Sequence, residues 1–375
     1  MDTRISLLCL LLMLIPLAVA MSVVPPQVKA TSAPEYDALF QRENDWVGAD
    51  GNFSVDLGGG RLLWLFGDTF VGKVKDGRRV DCVMINNSAA IQRVGTTQPV
   101  EFFYQTMAEG RPQSFMLPSD GRGYLWPMHG VRVGKGFSLF LLRVKPDNTT
   151  TAFPFKVFGS CLGYVADADA PPSTWKVRQA AVPFSKFEEK GSIVFGSAVL
   201  RQGQYVYIYG IDSLRKDAAG KQMSAMVLAR APAGKLGDFS AWRFYARGKW
   251  VKDYAESDAV CPGQAVECLV SYMPALKQYA AVYMEGVIFG SIMVRLAPKP
   301  EGPWGEPIKV YECPDKSWHK GAYCYMVKGH PELSRAPNEL IVTYSANSFE
   351  FKDLFEDARL YWPRFMRVTF RRNER

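Results

Sequence analysis

The sequence predicts an all-β fold, a five-bladed β-propeller, and two observations carry that prediction. First, a short strand, a polar turn and an aromatic or β-branched strand occur five times along the chain. Second, the copies recur every 61 to 75 residues, because their second strands begin near Leu62, Phe137, Tyr205, Tyr279 and Leu340. Regular recurrence of one supersecondary unit is typical of repeat architectures, and four-stranded units around an axis form a propeller. A large β-sandwich with coincidental spacing is the alternative.

The first copy, residues 50–70, shows the repeated unit most clearly. An alternating run with Phe53, Val55 and Leu57 meets three glycines, and an apolar run over 62–66 follows. Short apolar runs bounded by glycine are typical of β-hairpins. The pattern predicts third strands over residues 85–92, 223–232 and 289–304 and an outer strand over 100–106. We also expect residues 36–40 to form a strand that closes the ring against the last blade.

The N-terminal end of the chain predicts export. Arg4 precedes an almost unbroken apolar run over 5–20, which ends in the cleavage motif Ala-Val-Ala. We therefore expect a signal peptide over 1–20, a flexible leader over 21–35 and one propeller domain over 36–375. The apolar run is shorter than the roughly 20 residues of a membrane span, so an anchor is the weaker reading. The expected protein is a secreted or periplasmic monomer without a membrane span.

Six cysteines remain once the signal peptide is removed, and an even number in an exported protein suggests disulfide bonds. Proximity in sequence favours two pairs, Cys261 with Cys268 and Cys313 with Cys324. The pair Cys82 with Cys161 would then be left, although six cysteines allow about 15 pairings. Zinc is the alternative, but the chain has only 3 histidines and no C-x-x-C motif. We expect neither a metal nor another cofactor.

The chain is basic, with a formal net charge of +8. Such a charge suits an anionic polymer or a cell-surface partner, and it also serves solubility. No module with interleaved basic and aromatic residues indicates nucleic-acid binding, so we expect no nucleic-acid partner.

Two carboxylates occupy equivalent places in the first and fourth copies. Superposing the second strands of these copies is a shift of 217 residues, which places Asp50 on Glu267. The other copies have Tyr124, Ile193 and Lys328 near this place. Because first strands line the axis of a propeller, equivalent places face one funnel. Paired carboxylates across a cleft suit glycosidic cleavage, one as acid and the other as base or nucleophile. The alternative is that Asp50 caps a turn and Glu267 is a surface charge.

Further polar and aromatic residues are candidates for substrate binding. Aspartate in a turn is ordinary, but Asp68 is suited to holding a sugar hydroxyl or tuning a neighbour's pKa. The two histidines have a structural alternative, and most aromatic residues must belong to the core. No G-x-S-x-G, P-loop or H-E-x-x-H motif is present. The complete set of substrate-binding candidates is Asp68, Trp126, His129, His330, Glu332 and Trp46.

Several stretches resemble a known group of exported bacterial propellers. The runs WVGADGNFSVDLGGGRLLWLFGDTF, NNSAAIQ, GSAVLRQGQYVYIYG, LAPKPEGPW, GHPELS and YSANS are similar to DUF4185-like proteins, which include endo-D-arabinanases. This group is similar in architecture to five-bladed arabinanases, xylosidases and fructosidases. The resemblance implies that Asp50 is the base or nucleophile and Glu267 the acid. It leaves the third carboxylate of arabinanase-like enzymes unmatched, because Ile193 stands at the corresponding place.

Three functions are compatible with these observations. The first is an exported glycoside hydrolase that acts on a carbohydrate polymer or oligosaccharide, with an arabinan-like polymer as one candidate. The second is a carbohydrate-binding propeller without catalysis. The third is a polysaccharide lyase, which would need His129, His330 or a tyrosine as base.

Overall fold

The computed structural model describes residues 26–149, 154–262, 268–286 and 290–372. The signal peptide predicted for 1–20 and the candidate acid Glu267 therefore lie outside the described residues. The first two elements are a strand and a one-turn helix, β1 (Gln27–Ser32) and α1 (Pro34–Asp37).

Blade one and the sheet beside it contain β2 (Asn44–Ala49), β3 (Phe53–Gly58), β4 (Arg61–Phe66), β5 (Thr69–Lys75), β6 (Arg78–Ile85), β7 (Ser88–Arg93) and β8 (Glu101–Phe103). The blade has the strand order β3-β4-β7-β8, and the smaller sheet has the order β2-β5-β6. A short hairpin then leads to blade two through β9 (Gln105–Thr106) and β10 (Pro112–Gln113).

Blade two has its strands in chain order: β11 (Tyr124–Val133), β12 (Gly136–Pro146), β13 (Phe155–Val165) and β14 (Arg178–Ala181). Blade three is the largest and contains β15 (Lys186–Glu188), β16 (Gly191–Gln202), β17 (Tyr205–Lys216), β18 (Gln222–Pro232), β19 (Arg243–Ala246), β20 (Lys249–Val251) and β21 (Cys261–Pro262). Its central order is β16-β17-β18-β19, and β21 also pairs with β18.

Blade four contains β22 (Cys268–Met273), β23 (Gln278–Met284), β24 (Ile292–Ala297) and β25 (Ile308–Tyr311). Blade five contains β26 (Ala322–His330), β27 (Glu339–Ser348), the one-turn helix α2 (Asp353–Glu356) and β28 (Pro363–Arg371). Its outermost strand is β1, which pairs with β28, so both ends of the chain build this blade.

The described structure is all-β, and its five successive antiparallel blades confirm the predicted propeller. The predicted second strands are β4, β12, β17, β23 and β27, and each begins within one residue of the predicted place. The innermost strands β3, β11, β16, β22 and β26 contact each other in this order. Hydrogen bonds from Asn52 to Ser345 (2.8 Å) and between Ser54 and His330 (2.7 Å) connect blade one to blade five and complete the ring.

Two predictions for the N-terminal segment are wrong. The ring-closing strand is β1 and not residues 36–40, which follow the first turn of a helix that Pro34 begins. Proline suits the first position of a helix, because its fixed φ matches the helix and its missing N–H is not needed there. The predicted leader 21–35 therefore contains a paired strand. Val28 and Ala30 of this strand pack against the core beneath blade five.

The cysteines of the described chain form no disulfide bond, contrary to our expectation. Cys82 lies on β6, where its thiol points at the Lys73 carbonyl, whereas Cys161 is buried on β13 of the next blade. The expected pairing of these two residues is therefore wrong. Cys313 and Cys324 do lie together, because a hydrogen bond between their thiols is the main cause that raises the pKa of Cys313.

Candidate functional site

The mouth of the propeller lies where the innermost strands begin. Asp50 directly precedes β3, Trp126 is near the start of β11, and Tyr325 is near the start of β26. These residues come together at one end of the ring, because Asp50 binds Tyr325 and the neighbouring Asp68 binds Trp126. We call Asp50, Asp68, Trp126, Tyr325 and Tyr361 the mouth cluster.

The backbone around Asp50 fixes its side chain in the mouth. Gly51 and Asn52 have positive φ values of 89° and 53°, so the chain turns sharply between Asp50 and β3. Glycine adopts such values without steric conflict, and asparagine tolerates them better than most residues. Asp50 also pairs with the opposite strand, because its carbonyl accepts a 3.0 Å hydrogen bond from the Gly67 amide. A Cβ atom on Gly67 would lie 2.5 Å from Oδ1 of Asp50, so this carboxylate needs glycine opposite it.

Two tyrosine hydroxyls hold the Asp50 carboxylate. Oδ2 of Asp50 accepts hydrogen bonds from Tyr325 (2.6 Å) and Tyr361 (3.0 Å), and Asn347 donates to the Tyr325 oxygen (2.9 Å). Burial, followed by the charge of Asp50, raises the pKa of both tyrosines well above 10, so they remain donors. Hydrogen bonds to a carboxylate favour its ionised form. The two donors therefore fix the Asp50 carboxylate in place, and the residue is 8% exposed.

Tyr361 reaches Asp50 from a strained backbone position. Its φ is 66°, in the left-handed region, and its amide is held by the Ala346 carbonyl at 2.8 Å. A bulky residue in this region costs on the order of 1–3 kcal/mol, and such positions cluster at functional sites. The chain thus accepts strain at a residue whose hydroxyl serves the carboxylate.

Asp68 has a different environment from Asp50. Its Oδ1 accepts hydrogen bonds from the Trp126 indole (2.9 Å) and the Asn86 amide (3.3 Å). Burial outweighs both donors and raises the pKa of Asp68 to about 6. Among the described residues, none donates to the other oxygen of this half-buried side chain. The mouth therefore holds one carboxylate, Asp50, that accepts from two tyrosines and one, Asp68, whose pKa is raised to about 6.

Aromatic rings line the mouth around the two carboxylates. Burial and the charge of Asp68 raise the pKa of Tyr124 to about 12, and burial and the charge of Asp50 do the same to Tyr323. Phe349 lies 4.7 Å from the Tyr323 ring, centroid to centroid, and is 51% exposed. An exposed aromatic ring beside buried carboxylates offers an apolar surface and charge at the same place, as sugar recognition requires.

A second polar cluster lies deeper along the axis, and we call it the deep cluster: Ser54, His129, His330, Thr343 and Lys328. His330 contacts Ser54 Oγ through Nδ1 (2.7 Å) and Thr343 Oγ1 through Nε2 (2.8 Å). Nδ1 of His129 accepts from the Val199 amide (2.8 Å), so Nε2 carries the proton and donates to the Ser54 carbonyl (3.1 Å). Burial lowers the pKa of His129 to about 4 and that of His330 well below 6.5.

The structure places the remaining candidates away from the mouth. His129 and His330 are 7% and 0% exposed, and both nitrogens of each ring are engaged, which makes them structural. Trp46 is also wrong as a stacking residue, because it is 0% exposed and its indole donates to Ser88. Glu332 follows the far end of β26, beside Ser54 Oγ (3.3 Å), and burial raises its pKa to about 7.

Asp50, Asp68 and Trp126 are thus the sequence candidates that the described structure brings together. Glu267 precedes β22 by one residue but lies outside the described chain, so its role stays a prediction. Tyr325 and Tyr361, which hold the Asp50 carboxylate, were not among the site residues predicted from the sequence. With 17 tyrosines in the chain, neither carries a distinguishing signal.

The fold and the mouth cluster define the class: a five-bladed β-propeller with a carboxylate site at the start of its innermost strands. The family is shown directly, because residues 33–370 match the family described as Domain of unknown function (DUF5005). The chain belongs to that family. The family is thus DUF5005 and not the DUF4185-like group that several stretches of the sequence resemble. No curated protein matches the chain.

Solved structures share the fold. A protein from Bacteroides ovatus, provisionally assigned as a hydrolase, is 21% identical, with 91% of this chain and 90% of that chain covered and a TM-score of 0.71. The catalytic domain of a family GH62 α-L-arabinofuranosidase from Coprinopsis cinerea is 10% identical over 92% and 97% of the chains, with a TM-score of 0.49. A GH43_1 enzyme from Xanthomonas citri, complexed with xylotriose, is 10% identical over 90% and 93%, with a TM-score of 0.47. At these identities the likeness concerns the fold alone.

The described residues also bear on metal binding and on membrane insertion. Within the described ranges, no group of three or more histidine, cysteine, aspartate or glutamate side chains is arranged to hold a metal ion. None of the helices in the described part of the chain has the length and apolar character needed to span a bilayer.

Proposed function

We propose that this protein is an exported glycoside hydrolase that cleaves a polysaccharide or oligosaccharide in the mouth of its propeller. The observation that carries the proposal is the pair Asp50 and Asp68, which lie side by side in different hydrogen-bonding environments. Two titratable groups whose environments separate their pKa values are typical of acid–base sites. The shared fold with known glycoside hydrolases supports the proposal but does not identify a substrate.

Asp50 is the residue we assign as base or nucleophile. In this role it acts in its ionised form. It is fixed by two tyrosine hydroxyls, and its Oδ1 lies on the side of Gly67. A carboxylate in this state either takes a proton from the attacking water or attacks the anomeric carbon itself.

Glu267 is the residue we assign as acid, on the evidence of the superposed strands. It would protonate the glycosidic oxygen as the bond to the anomeric carbon breaks, so that the leaving sugar departs as an alcohol. Asp68 then has the third role. In its protonated form it donates from the oxygen that the described residues leave without a donor, which suits a sugar hydroxyl.

A polysaccharide panel tests this proposal. Purified protein is incubated with neutral and acidic polymers, arabinans included, and products are analysed by reducing-end assay and mass spectrometry. We expect hydrolysed products that are absent with Asp50→Asn. Products with an unsaturated ring, detected by ultraviolet absorbance, would show that the protein is a lyase and not a hydrolase. Binding of a polymer that is never cleaved would make the protein a carbohydrate-binding propeller.

The assignment of the acid has its own test. A substrate with an activated aryl leaving group needs little protonation, so Glu267→Gln should keep most activity on it and lose activity on the natural linkage. Asp68→Asn should lose activity on both, because its role is in binding. If Asp68→Asn instead keeps activity on the activated substrate and Glu267→Gln loses activity on both, Asp68 is the acid.

A further inference from the structure

A second site lies on blade three, away from the mouth. The outer strands of this blade and two short 3-10 turns, Ala233–Lys235 and Phe239–Ala241, enclose a shallow cavity of about 570 Å³. Three basic side chains and one acidic side chain line it: Arg230, Lys235, Arg243 and Asp238. None of these residues takes part in the mouth cluster.

Two aromatic rings hold the Arg230 guanidinium in place. Its central carbon lies 4.2 Å from the Tyr205 ring centroid and 4.1 Å from that of Trp250, so the planar group is clamped between them. Each such contact attracts the guanidinium to the face of a ring, and together they fix the orientation of the fork. The side chain therefore loses little further freedom when it binds a ligand.

The hydrogen-bonding capacity of Arg230 is not used within the described chain. Its Nε is buried and has no partner there, and no described carboxylate lies within ion-pair distance of the group. A buried guanidinium nitrogen without an acceptor destabilises the folded protein, and an incoming anion would offset that cost. The lone acidic residue of the lining, Asp238, is occupied by the amide and hydroxyl of Ser240 (3.1 and 2.6 Å).

A second arginine faces the first. Arg230 on β18 is directly opposite Arg243 on β19 in the strand register. Like charges at directly opposed positions destabilise a sheet. Arg243 is turned toward the carbonyls of Ser240 and Trp242 (3.0 and 2.6 Å), which leaves the pair without a counter-charge among described residues.

We propose that this cavity binds the anionic group of an acidic polysaccharide, a uronate carboxylate or a sugar sulfate. Arginine forms two parallel hydrogen bonds with such groups, and a clamped fork is prepared for that geometry. The aromatic lining and the cavity volume suit one or two sugar units. The net charge of +8 assists attraction of a polyanion over longer distances. The site is independent of the proposed catalysis, because it is built entirely on blade three.

Calorimetric titration at about 0.15 M salt tests this proposal. Polygalacturonate and dextran sulfate are the acidic probes, and dextran is the neutral one. We expect the native protein to bind at least one acidic probe and to ignore dextran. Arg230→Gln should weaken Kd at least about tenfold, and Arg230→Lys, which keeps charge but not the fork, should also lose affinity.

Arg201→Gln is the matched control, because it removes the same charge from an exposed position on β16 of the same blade. If it weakens binding as much as Arg230→Gln, the attraction is general charge and the site is refuted. Should Arg230→Gln fail to fold, the exposed Lys235→Glu reports on the same cavity. Stronger binding to phosphatidylserine vesicles or single-stranded DNA than to either acidic glycan would also overturn the proposal. Cleavage of a neutral substrate should be unchanged in every variant, which separates this result from the proposed hydrolase activity.

Discussion

The mouth cluster and the deep cluster both include residues of blade one, yet their polar groups differ in how fully they are hydrogen-bonded. Asp50 and Ser54 are separated by at most about 14 Å along blade one. In the deep cluster, all four ring nitrogens of His129 and His330 have partners. In the mouth cluster, one oxygen of Asp68 has no donor among the described residues, and the pKa of Asp68 is raised to about 6. Buried polar groups that are fully satisfied stabilise a fold, whereas groups left with capacity and altered pKa values are typical of reaction sites.

The largest expected difference between the clusters concerns activity. Asp50→Asn should reduce kcat/KM by about 10²- to 10⁴-fold, since the amide can neither accept a proton nor attack carbon. The melting temperature should change little, because Asn keeps an acceptor for both tyrosines. Steady-state kinetics on the substrate identified by the panel measures the effect. Asp56→Asn, at the far end of the same strand, is the control and should retain activity.

Substitution in the deep cluster should affect stability instead. His129→Leu removes two hydrogen bonds and leaves the Val199 amide unsatisfied, so we expect a loss of about 2–4 kcal/mol in unfolding free energy. Activity per folded molecule should stay within about threefold of the native value. Urea unfolding measures the loss, and His319→Leu, a half-buried histidine outside the cluster, is the control. A large fall in kcat/KM of the folded variant would show that the deep cluster also contributes to activity.

The stability difference between the native protein and His129→Leu should depend on pH. The pKa of His129 is lowered to about 4 in the folded protein, so the unfolded chain, with an ordinary value near 6.5, takes up the proton first. The stability that neutral His129 contributes is complete above about pH 6.5 and is lost as the pH falls toward 4. The stability gap between the native protein and His129→Leu should therefore narrow across that window. A gap independent of pH would contradict a buried neutral imidazole.

For Asp68 the pH dependence of folding stability should have the opposite sign. The pKa of Asp68 is raised to about 6, so ionisation of the folded protein lags behind that of the unfolded chain between about pH 4 and 6. The native protein thus loses stability as the pH rises through this window. Above it, Asp68→Asn should be more stable by about 1–2 kcal/mol, after allowance for the partial exposure of the side chain. The gain should disappear near pH 4, while activity remains reduced at both pH values.

The smallest expected effect concerns the rim of the mouth. Phe349→Ala should raise KM by about three- to tenfold with little change in kcat, because it removes an exposed ring that would stack on a sugar. Tyr164→Ala, an exposed aromatic on blade two that is 40% accessible, is the control. Equal effects of the two substitutions would mean that the rim does not contact substrate.

The sequence was sufficient for the propeller because glycine-bounded apolar runs determine local hairpins, and five such runs leave few other arrangements. The start of every second strand, from Arg61 to Glu339, could be predicted in this way. The N-terminal strand β1 was missed because its partner β28 is more than 300 residues away, a pairing that local pattern does not reveal. The function of a polar residue was equally hidden. Only the bonds made by His330 show it to be structural, and only the two tyrosines show how the Asp50 carboxylate is held in place.

Azide rescue tests the central claim, that the Asp50 carboxylate is the base or nucleophile of hydrolysis, most directly. In Asp50→Ala the removed carboxylate leaves space for a small anion, which can attack the anomeric carbon while the leaving sugar takes a proton. The account predicts that Asp50→Ala is inactive in buffer, regains turnover with sodium azide and releases a glycosyl azide identifiable by mass spectrometry. Cleavage by Asp50→Ala at the native rate without azide would contradict it.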